Sequence, residues 1–410
     1  MREGYKKTEF GEIPVEWEIK KIGDVTNIIN GGTPNTKVSM YWENGTIHWA
    51  TPTDITSTKK YINTTEKYIT NNGLKNSSAN LLPTGSVLMT SRATIGECCI
   101  NTVPMSTNQG IKAFVCKDIY NEFLYYLVLK MKDKLIKLAG GSTFLEISKT
   151  AIGSILIPIP SQKEQQKIAE ILSTVDELIE QTDTLIEKTK ELKKGLMQRL
   201  LTKGIGHTDF KKTEVGEIPV EWEVKELVQC GEFINGKAFK PSDWSNEGIP
   251  IIRIQNLNGS DEFNYFKGEI EEKYYIKPYD LLFSWSGSRG TSFGPHIWRG
   301  TEGVLNQHIF KVKINEGIDK TYLYYALKII TERIEQNAHG SAGLVHITKK
   351  SLESFKVPIP SLVEQKKIGT IINEFDEQIM QYKHKFDKLC ILKRGLMQKL
   401  LTGKIRVKVS

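Results

Sequence analysis

Two stretches of the chain carry nearly the same sequence, PIPSQKEQQKIAEIL at residues 158–172 and PIPSLVEQKKIGTII at residues 358–372. The similarity continues to residues 202 and 402, with 23 identities in 45 aligned positions. A second pair, YKKTEFGEIPVEWE and FKKTEVGEIPVEWE, begins at Tyr5 and Phe210. Between these blocks only short anchors align. The chain is therefore a tandem duplication whose flanks stayed alike while its centres diverged.

Each of the repeated blocks at 158–202 and 358–402 predicts a long helix. In each block a serine after a proline precedes a glutamate by three residues, which predicts a capping box in which serine and glutamate side chains cap each other's amides. The apolar residues then recur every three or four positions, as in a coiled-coil seam. About 40 residues at 1.5 Å each give a helix of about 60 Å. The residues expected to pack the helix pair are Ile168, Leu172, Val175, Ile179, Ile186, Leu192, Leu196, Ile368, Ile372, Phe375, Ile379, Phe386, Leu392 and Leu396.

A helix with a single apolar stripe must bury it, and its own duplicate is the expected partner because pairing within one chain is unimolecular. An antiparallel pair would place two globular units at opposite ends, related by a pseudo-twofold axis. An intermolecular coiled coil is the alternative. Gly195 and Gly395, near the helix ends, indicate either a close crossing or slight kink, or a neutral relic of the duplication.

The diverged centres mix short strand-like runs with helical stretches, which predicts α/β (α+β) units with irregular loops. We expect globular domains at 1–160 and 205–360, helices at 161–204 and 361–404, and a tail at 405–410. The loops are rich in Gly, Ser, Thr, Asn and basic residues, a composition that suits contacts with phosphates and base edges but is also common in solvated turns.

Two arginines are stronger candidates for DNA contact than this composition alone suggests. Arg92 and Arg289 align between the copies, and each follows a predicted strand. The net charge of +8 permits nucleic-acid binding without establishing it. The candidates for DNA contact are Thr33, Lys37, Ser91, Arg92, Ser142, Thr143, Lys237, Lys240, Ser286, Ser288, Arg289 and Ser341.

The sequence offers no catalytic or metal site. It has no phosphate-binding G-x-x-x-x-G-K-[ST] loop, no G-x-G-x-x-G turn opening a βα unit and no His/Cys cluster. Five cysteines without a C-x-x-C pair indicate reduced thiols in a cytoplasmic protein. No run of about 18 apolar residues predicts a membrane span.

Several motifs of the first copy carry a family resemblance. They read GGTP at 31–34, YW at 41–42, WATPTDI at 49–55, TNQG at 107–110 and GSTFLEISK at 141–149, followed by the helix start at 158–172. The second copy matches at 306–307, 347–349 and 358–365. The chain resembles the specificity (S) subunits of type I restriction–modification systems. The second copy departs at Gly236-Lys237 and Gly343-Leu344, which suggests a different DNA half-site.

The resemblance implies two target-recognition domains, each reading one half of an asymmetric, two-part site on double-stranded DNA. It implies that the helices set the unread spacer and dock two methyltransferase (M) subunits, joined by motor and nuclease (R) subunits. The assembled complex would be an adenine methyltransferase and an ATP-dependent endonuclease. S-adenosylmethionine, ATP and Mg²⁺ would serve those partners, and this chain would bind none of them.

Two other functions compete with this interpretation. A coiled-coil adaptor that joins proteins without reading DNA gives no reason for the domain centres to diverge while the helices do not. A nucleic-acid enzyme with a hidden site lacks the motifs described above.

Overall fold

The computed structural model describes residues 2–140, 145–337 and 343–408. They form two compact units: the first runs to Thr182 and resumes at His384, and the second is Asp183–Lys383. Each long helix therefore gives one half to each unit. The predicted division had instead set the helices apart as segments of their own. Among the described residues, no helix is both long enough and apolar enough to span a membrane.

The described residues of the first unit form twelve strands, six short α-helices, the start of the first long helix and the end of the second. Its helices are α1 (Ile22–Val25), α2 (Pro52–Ser57), α3 (Asn71–Lys75), α4 (Asn121–Lys130), α5 (Lys132–Leu138), α6 (Lys149–Gly153) and α7 (Gln162–Lys203). Its strands are β1 (Tyr5–Thr8), β2 (Gly11–Pro14), β3 (Glu18–Lys21), β4 (Thr26–Asn30), β5 (Ile47–Ala50), β6 (Tyr61–Ile62), β7 (Lys67–Ile69), β8 (Val87–Thr90), β9 (Cys98–Asn101), β10 (Met105–Thr107), β11 (Ile111–Cys116) and β12 (Leu156–Ile159).

The main sheet of the first unit has the order β4-β11-β8-β9-β6, beside a three-stranded sheet β10-β5-β7 and the pairs β1-β2 and β12-β3. Both faces of the main sheet are covered. Along β8, Val87 and Met89 join one apolar cluster, together with α4, while Leu88 joins another, together with α2. This alternation follows the two-residue period of a strand. It explains why β8 is buried throughout.

The second unit repeats this plan with different strands. Its strands are β13 (Phe210–Thr213), β14 (Gly216–Pro219), β15 (Glu223–Glu226), β16 (Gly231–Asn235), β17 (Trp244–Ser245), β18 (Ile249–Ile252), β19 (Asn264–Phe266), β20 (Tyr275–Ile276), β21 (Leu281–Ser284), β22 (Ser286–Ser288), β23 (Gly294–Ile297), β24 (Gly303–Leu305), β25 (Ile309–Ile314), β26 (Leu344–His346) and β27 (Lys356–Ile359). Its helices are α8 (Leu227–Cys230), α9 (Ile254–Leu257), α10 (Lys320–Asn337), α11 (Lys349–Glu353) and α12 (Leu362–Leu400). The main sheet has the order β16-β25-β21-β23, and the second sheet is β17-β19-β18-β24-β20.

Both long helices start at the predicted serines, but only half of each predicted capping box forms as expected. The serine hydroxyl accepts the N–H of the residue three positions on, whereas the glutamate carboxylate accepts a tryptophan indole from the preceding hairpin region. The contacts are Glu164 N to Ser161 Oγ (3.3 Å), Glu364 N to Ser361 Oγ (3.3 Å), Trp17 Nε1 to Glu164 Oε2 (3.1 Å) and Trp222 Nε1 to Glu364 Oε2 (3.0 Å). Each indole thus ties the globular part of its unit to the first turn of a long helix.

Within each unit the two helix halves run antiparallel, as predicted. In the first unit, Asp176 near the start of α7 forms an ion pair of 2.6 Å with Lys393 near the end of α12. The second unit repeats it between Asp376 and Lys193, at 2.5 Å. A tyrosine completes each cluster, Tyr126 donating to Asp176 (2.6 Å) and Tyr325 to Asp376 (2.8 Å). The duplication therefore preserved this polar cluster inside the helix packing.

Most residues of the predicted apolar stripe are buried or half-buried, but two leucines are exposed. Leu192 is 64% exposed and Leu392 is 48% exposed, so both were wrongly assigned to the packed face. The next residues, Lys193 and Lys393, turn inward to their aspartates instead. A straight helix drifts about 20° per heptad against a 3.5-residue repeat, which moves the buried face one position along. The other predicted residues are buried or half-buried: Ile168, Leu172, Val175, Ile179, Ile186, Leu196, Ile368, Ile372, Phe375, Ile379, Phe386 and Leu396.

The two helix glycines do not mark a close crossing. A Cβ added to Gly195 or Gly395 would meet no atom within 4 Å. Close approach of another helix therefore does not explain them.

The corrected stripe can be tested with two equal substitutions on α7. Leu172 is fully buried, so Leu172→Ala should lower the free energy of unfolding by about 2–5 kcal/mol. Leu192→Ala, at an exposed position of the same helix, should change it by no more than about 0.5 kcal/mol. Urea unfolding followed by circular dichroism measures both. Equal losses of unfolding free energy in the two variants would indicate that Leu192 does belong to the packed face.

Candidate nucleic-acid interface

In the first unit, four backbone hydrogen bonds join the ends of strands and loops at one end of the main sheet. We call this set the loop frame; it spans residues 31–32, 91, 107–111 and 147. Because only main-chain atoms make these bonds, the same bonds can form with different side chains at several of the frame positions. The bonds run from Gly31 N to Ile111 O (3.1 Å), Gly32 N to Thr107 O (2.8 Å), Ser91 N to Gly110 O (2.8 Å) and Ile147 N to Ser91 O (3.0 Å).

The second unit builds the same loop frame from residues 236–237, 285, 305–309 and 347. Each bond has a counterpart of nearly equal length, although the two domain centres share little sequence. The bonds run from Gly236 N to Ile309 O (3.0 Å), Lys237 N to Leu305 O (2.9 Å), Trp285 N to His308 O (3.0 Å) and Ile347 N to Trp285 O (2.9 Å).

A glycine packed against an asparagine explains the short anchors that align between the copies. A Cβ on Gly31 would lie 1.8 Å from the carbonyl oxygen of Asn108. A Cβ on Gly236 would lie 2.0 Å from that of Asn306. These contacts are far inside van der Waals distance, so only glycine allows the chains to approach this closely.

Asn108, Gln109 and Ile111 of the first frame have identical counterparts in the second, but other side chains on and beside the frames differ. The first unit carries small or acidic residues where the second carries a lysine and aromatic rings. The corresponding pairs are Gly32 and Lys237, Ser91 and Trp285, Gly110 and His308, and Glu146 and His346. The frame is therefore a constant backbone platform with variable chemistry.

In the second unit the frame carries an aromatic cluster centred on Trp285. Its ring lies 4.7 Å from that of His308, 5.0 Å from that of His346 and 5.9 Å from that of Phe310. The indole Nε1 donates to Asn235 Oδ1 at 3.0 Å. Such rings and imidazole nitrogens supply stacking surfaces and hydrogen-bonding groups of the kind that contact bases.

His308 shows two further signs of a functional position. Its backbone has a φ of 74°, in the left-handed region that a non-glycine residue seldom adopts. Its Nδ1 is buried without a hydrogen-bond partner among the described residues. Strained backbone clusters at binding and active sites, and a buried polar atom without a partner calls for an explanation in function or structure.

The first unit presents a polar frame instead. The nearly buried Lys112 ammonium lies 3.5 Å from the Glu146 carboxylate. Thr33, a predicted candidate, donates its hydroxyl proton to Gln109 Oε1. Ammonium and carboxylate groups, Lys112 and Glu146, therefore stand where the second unit has the rings of Phe310 and His346.

The two arginines predicted from sequence lie beside the frames but not in corresponding places as predicted, because Ser286 pairs with His346 as Arg92 pairs with Glu146. Both are exposed. Arg92 pairs by a backbone bridge with Glu146, while the Arg289 N–H donates to Gly343 O at 2.9 Å. Arg92 thus follows β8, the strand that enters the first frame, whereas Arg289 follows β22. Each arginine is braced by the segment that leads to the next short helix.

Several other candidates lie close to a frame in the chain. Lys237 belongs to the second frame and places its ammonium 5.0 Å from the ring centroid of Phe266. Thr33 adjoins the first frame, and Ser286 and Ser288 form β22, directly after Trp285. Lys37 and Lys240 are exposed in the loops that follow the glycines.

One candidate is wrong, and three cannot be placed. Ser91 is fully buried and its hydroxyl donates to Gly110 O at 3.1 Å, so it serves the frame and not a ligand. A polar residue type alone could not reveal that burial. Ser142, Thr143 and Ser341 lie outside the described residues.

Sequence reasoning missed the histidines of the second frame. The alignment contained a signal for one of them, because TNQG at 107–110 corresponds to LNQH at 305–308. A histidine replacing a glycine at a shared anchor marks a position where the backbone is retained and the chemistry changes.

Comparison with known proteins agrees with this architecture. The family described as type I restriction modification DNA specificity domain matches residues 14–191 and 219–387. A putative type I restriction enzyme MjaX specificity subunit from Methanocaldococcus jannaschii is 31% identical over 99% of this chain and 97% of its own length. The MjaIX specificity subunit from the same organism is 30% identical over 98% and 96%.

A solved structure shares the fold. The type I restriction–modification S subunit from M. genitalium matches with a TM-score of 0.57 at 17% identity, over 96% of this chain and 97% of its own. At that identity the likeness concerns the fold alone.

The role of the frame glycines can be tested by substitution. Gly31→Ala and Gly236→Ala should each separate the glycine loop from its asparagine, losing backbone hydrogen bonds of about 1 kcal/mol each. The melting temperature should fall in both variants. Gly395→Ala, where a Cβ meets nothing within 4 Å, is the control and should be neutral or stabilising. Unchanged melting of the first two variants would contradict the tight packing.

Proposed function

The chain belongs to the family of type I restriction–modification specificity subunits, and we propose that each of its units reads one half of an asymmetric, two-part DNA site. Two DNA-recognition domains are a property of this family match, which covers both halves of the chain. The finer proposal concerns which surface reads the bases. We assign that role to the loop frames and the side chains around them.

The observation that carries the proposal is the repeated backbone frame with unlike side chains. A reader of two different half-sites needs one way of presenting side chains and two sets of side chains to present. Base edges in the major groove differ in their pattern of donors, acceptors and methyl groups. Lys112 and Glu146 beside one frame match a different pattern from His308 and His346 on and beside the other.

The long helices would fix the distance between the half-sites. Half-sites one helical turn apart lie about 34–36 Å from each other. The 42 residues of α7 correspond to about 63 Å at 1.5 Å per residue, enough to span that distance. The duplicated helix surfaces would also dock two methyltransferase subunits, with motor and nuclease subunits joining the full complex.

This chain would serve that complex without catalysing its reactions. Adenine methylation and ATP-dependent cleavage would belong to the partner subunits, together with S-adenosylmethionine, ATP and Mg²⁺. The complex would act in the cytoplasm. A coiled-coil adaptor without DNA reading is not favoured, because it leaves the unlike side chains on two matched frames without a purpose.

The arginines beside the frames provide a test of half-site reading. Arg92→Ala should weaken binding at one half-site only and Arg289→Ala at the other, each by roughly 1–3 kcal/mol if the side chain contacts a base. Methylome sequencing first identifies the two-part site. Binding of the complex with the methyltransferase subunit is then measured on duplexes altered in either half-site. Equal loss at both half-sites would indicate misfolding instead of lost reading.

The helices can be tested as a ruler. Removing four residues, about one turn, from the middle of both α7 and α12 should shift or abolish the tolerated spacer between half-sites. Methylation of substrates with a graded series of spacers measures the shift. A matched variant with four alanines replacing those residues keeps the length and should keep the spacer. Unchanged methylation by the shortened variant at the original spacing would refute the ruler.

A further inference from the structure

The main sheets of the two units end differently at one edge. In the first unit, β6 is the edge strand and runs parallel to β9. The N–H groups of Ile100 and Thr102 donate to the carbonyls of Lys60 (2.8 Å) and Ile62 (2.9 Å). Among the described residues of the second unit, no strand lies beyond β23.

Strand β23 is the counterpart of β9. Ile100 lies opposite Val87 on the strand that enters the first frame, and Ile297 lies opposite Leu281 on the strand that enters the second. The Trp298 N–H donates inward to Asp280 O at 3.0 Å. Because hydrogen-bonded and non-bonded pairs alternate in antiparallel strands, the N–H of Ile297 points outward, as that of Ile100 does.

The length of one connection explains the missing strand. In the first unit, residues 58–66 join α2 to β7 and include β6. In the second unit, only residues 258–263 join α9 to β19. The shorter connection does not supply an edge strand. Where β6 lies in the first unit, the second unit has a groove of about 1050 Å³ lined by Ile297, Trp298, Tyr324, Lys328, Asn373 and Met380.

The place that β6 fills in the first unit and the open groove of the second unit also differ in charge. In the first unit the lysines before β6 meet carboxylates, Lys60 with Glu122 (2.7 Å) and Lys59 with Glu180 (2.6 Å). Burial alone would raise the pKa of Glu122, but the hydrogen bonds from Lys60 and Tyr61 outweigh it and lower the pKa. In the second unit Thr321 and Met380 occupy the positions of these two carboxylates.

The groove of the second unit is instead rich in cations. Four basic side chains line it: Lys320, Lys328, Lys383 and Arg299. Of its three acidic side chains, Asp376 is paired with Lys193 and Glu377 accepts from Asn373 at 2.8 Å; the third is Asp261. A ligand with carboxylates would therefore complement this groove better than one with lysines.

We propose that this groove binds an extended, carboxylate-bearing segment of a partner protein, added as a fifth strand parallel to β23. Strand addition to an open sheet edge draws its affinity from main-chain hydrogen bonds and its specificity from the neighbouring side chains. The first unit supplies the template for the backbone register. Ile297, which lines the groove, lies opposite Leu281 at the start of β21. The other end of β21, Ser284, leads into the frame and is three residues, or about 10 Å, away. The groove is thus a site separate from the DNA-reading surface.

Short peptides test the proposal on the full-length chain. The probe is a fluorescein-labelled peptide with the sequence of residues 58–64 in which glutamate replaces both lysines; the matched control keeps the lysines. Fluorescence anisotropy should show at least tenfold tighter binding of the acidic peptide. Failure of the acidic peptide to bind, or equal binding of the two peptides, would overturn the proposal.

Two further measurements separate strand addition from simple charge attraction. Methylating the peptide nitrogen at the position of Ile62, which the parallel register directs at β23, should reduce binding at least tenfold. The double variant Thr321→Glu, Met380→Glu restores the carboxylates of the first unit and should reverse the preference towards the lysine peptide. Undiminished binding of the methylated peptide or an unreversed preference would refute strand addition.

Duplex DNA distinguishes this site from the DNA-reading surface. Added DNA should leave the peptide bound, and the double variant should keep its binding to both half-sites. Displacement of the peptide by DNA would assign the groove to phosphate binding and overturn the proposal. Loss of half-site reading through the frame variants, with peptide binding retained, would bear on the proposed function alone.

Discussion

The burial of one apolar stripe on each long helix constrains the rest of the structure. A helix of this length with a single apolar face is not stable alone in water, because most helical stability comes from packing that face. Here each face packs against the oppositely directed half of the other helix, and the Asp176–Lys393 and Asp376–Lys193 pairs recur in the two units. A partly buried charge without its partner is costly, so these pairs help to fix the register.

The helix register in turn positions the recognition domains. Trp17 and Trp222 hold the start of each domain to the first turn of a helix through Glu164 and Glu364. Gln165 and Gln365 do the same for the late helix of each domain, accepting the N–H of Tyr120 and of Asp319 at 2.8 Å. These four anchors are side chains from the repeated blocks. Their retention explains why the flanks of the duplication stayed alike.

Features that depend on local sequence could be predicted, and features that depend on distant neighbours could not. The helix starts, the antiparallel pairing and the Asn-Gly anchors follow from capping residues, periodicity and repetition. The exposure of Leu192 depends on how far the buried face has drifted along the helix, and the burial of Ser91 depends on a loop almost twenty residues away. The cluster of Trp285, His308 and His346 joins three separate segments, so no local sequence pattern predicts it.

A frame made of main-chain bonds lets one domain change its side chains without losing its shape. Ser91 and Trp285 differ greatly in volume, yet the N–H of each donates to the corresponding carbonyl at 2.8 and 3.0 Å. The Lys112 and Glu146 pair beside one frame and the ring cluster on the other cannot match the same base edges. If both frames contact DNA, the two half-sites must differ, and the asymmetry of the site follows from the duplication of backbone without duplication of side chains.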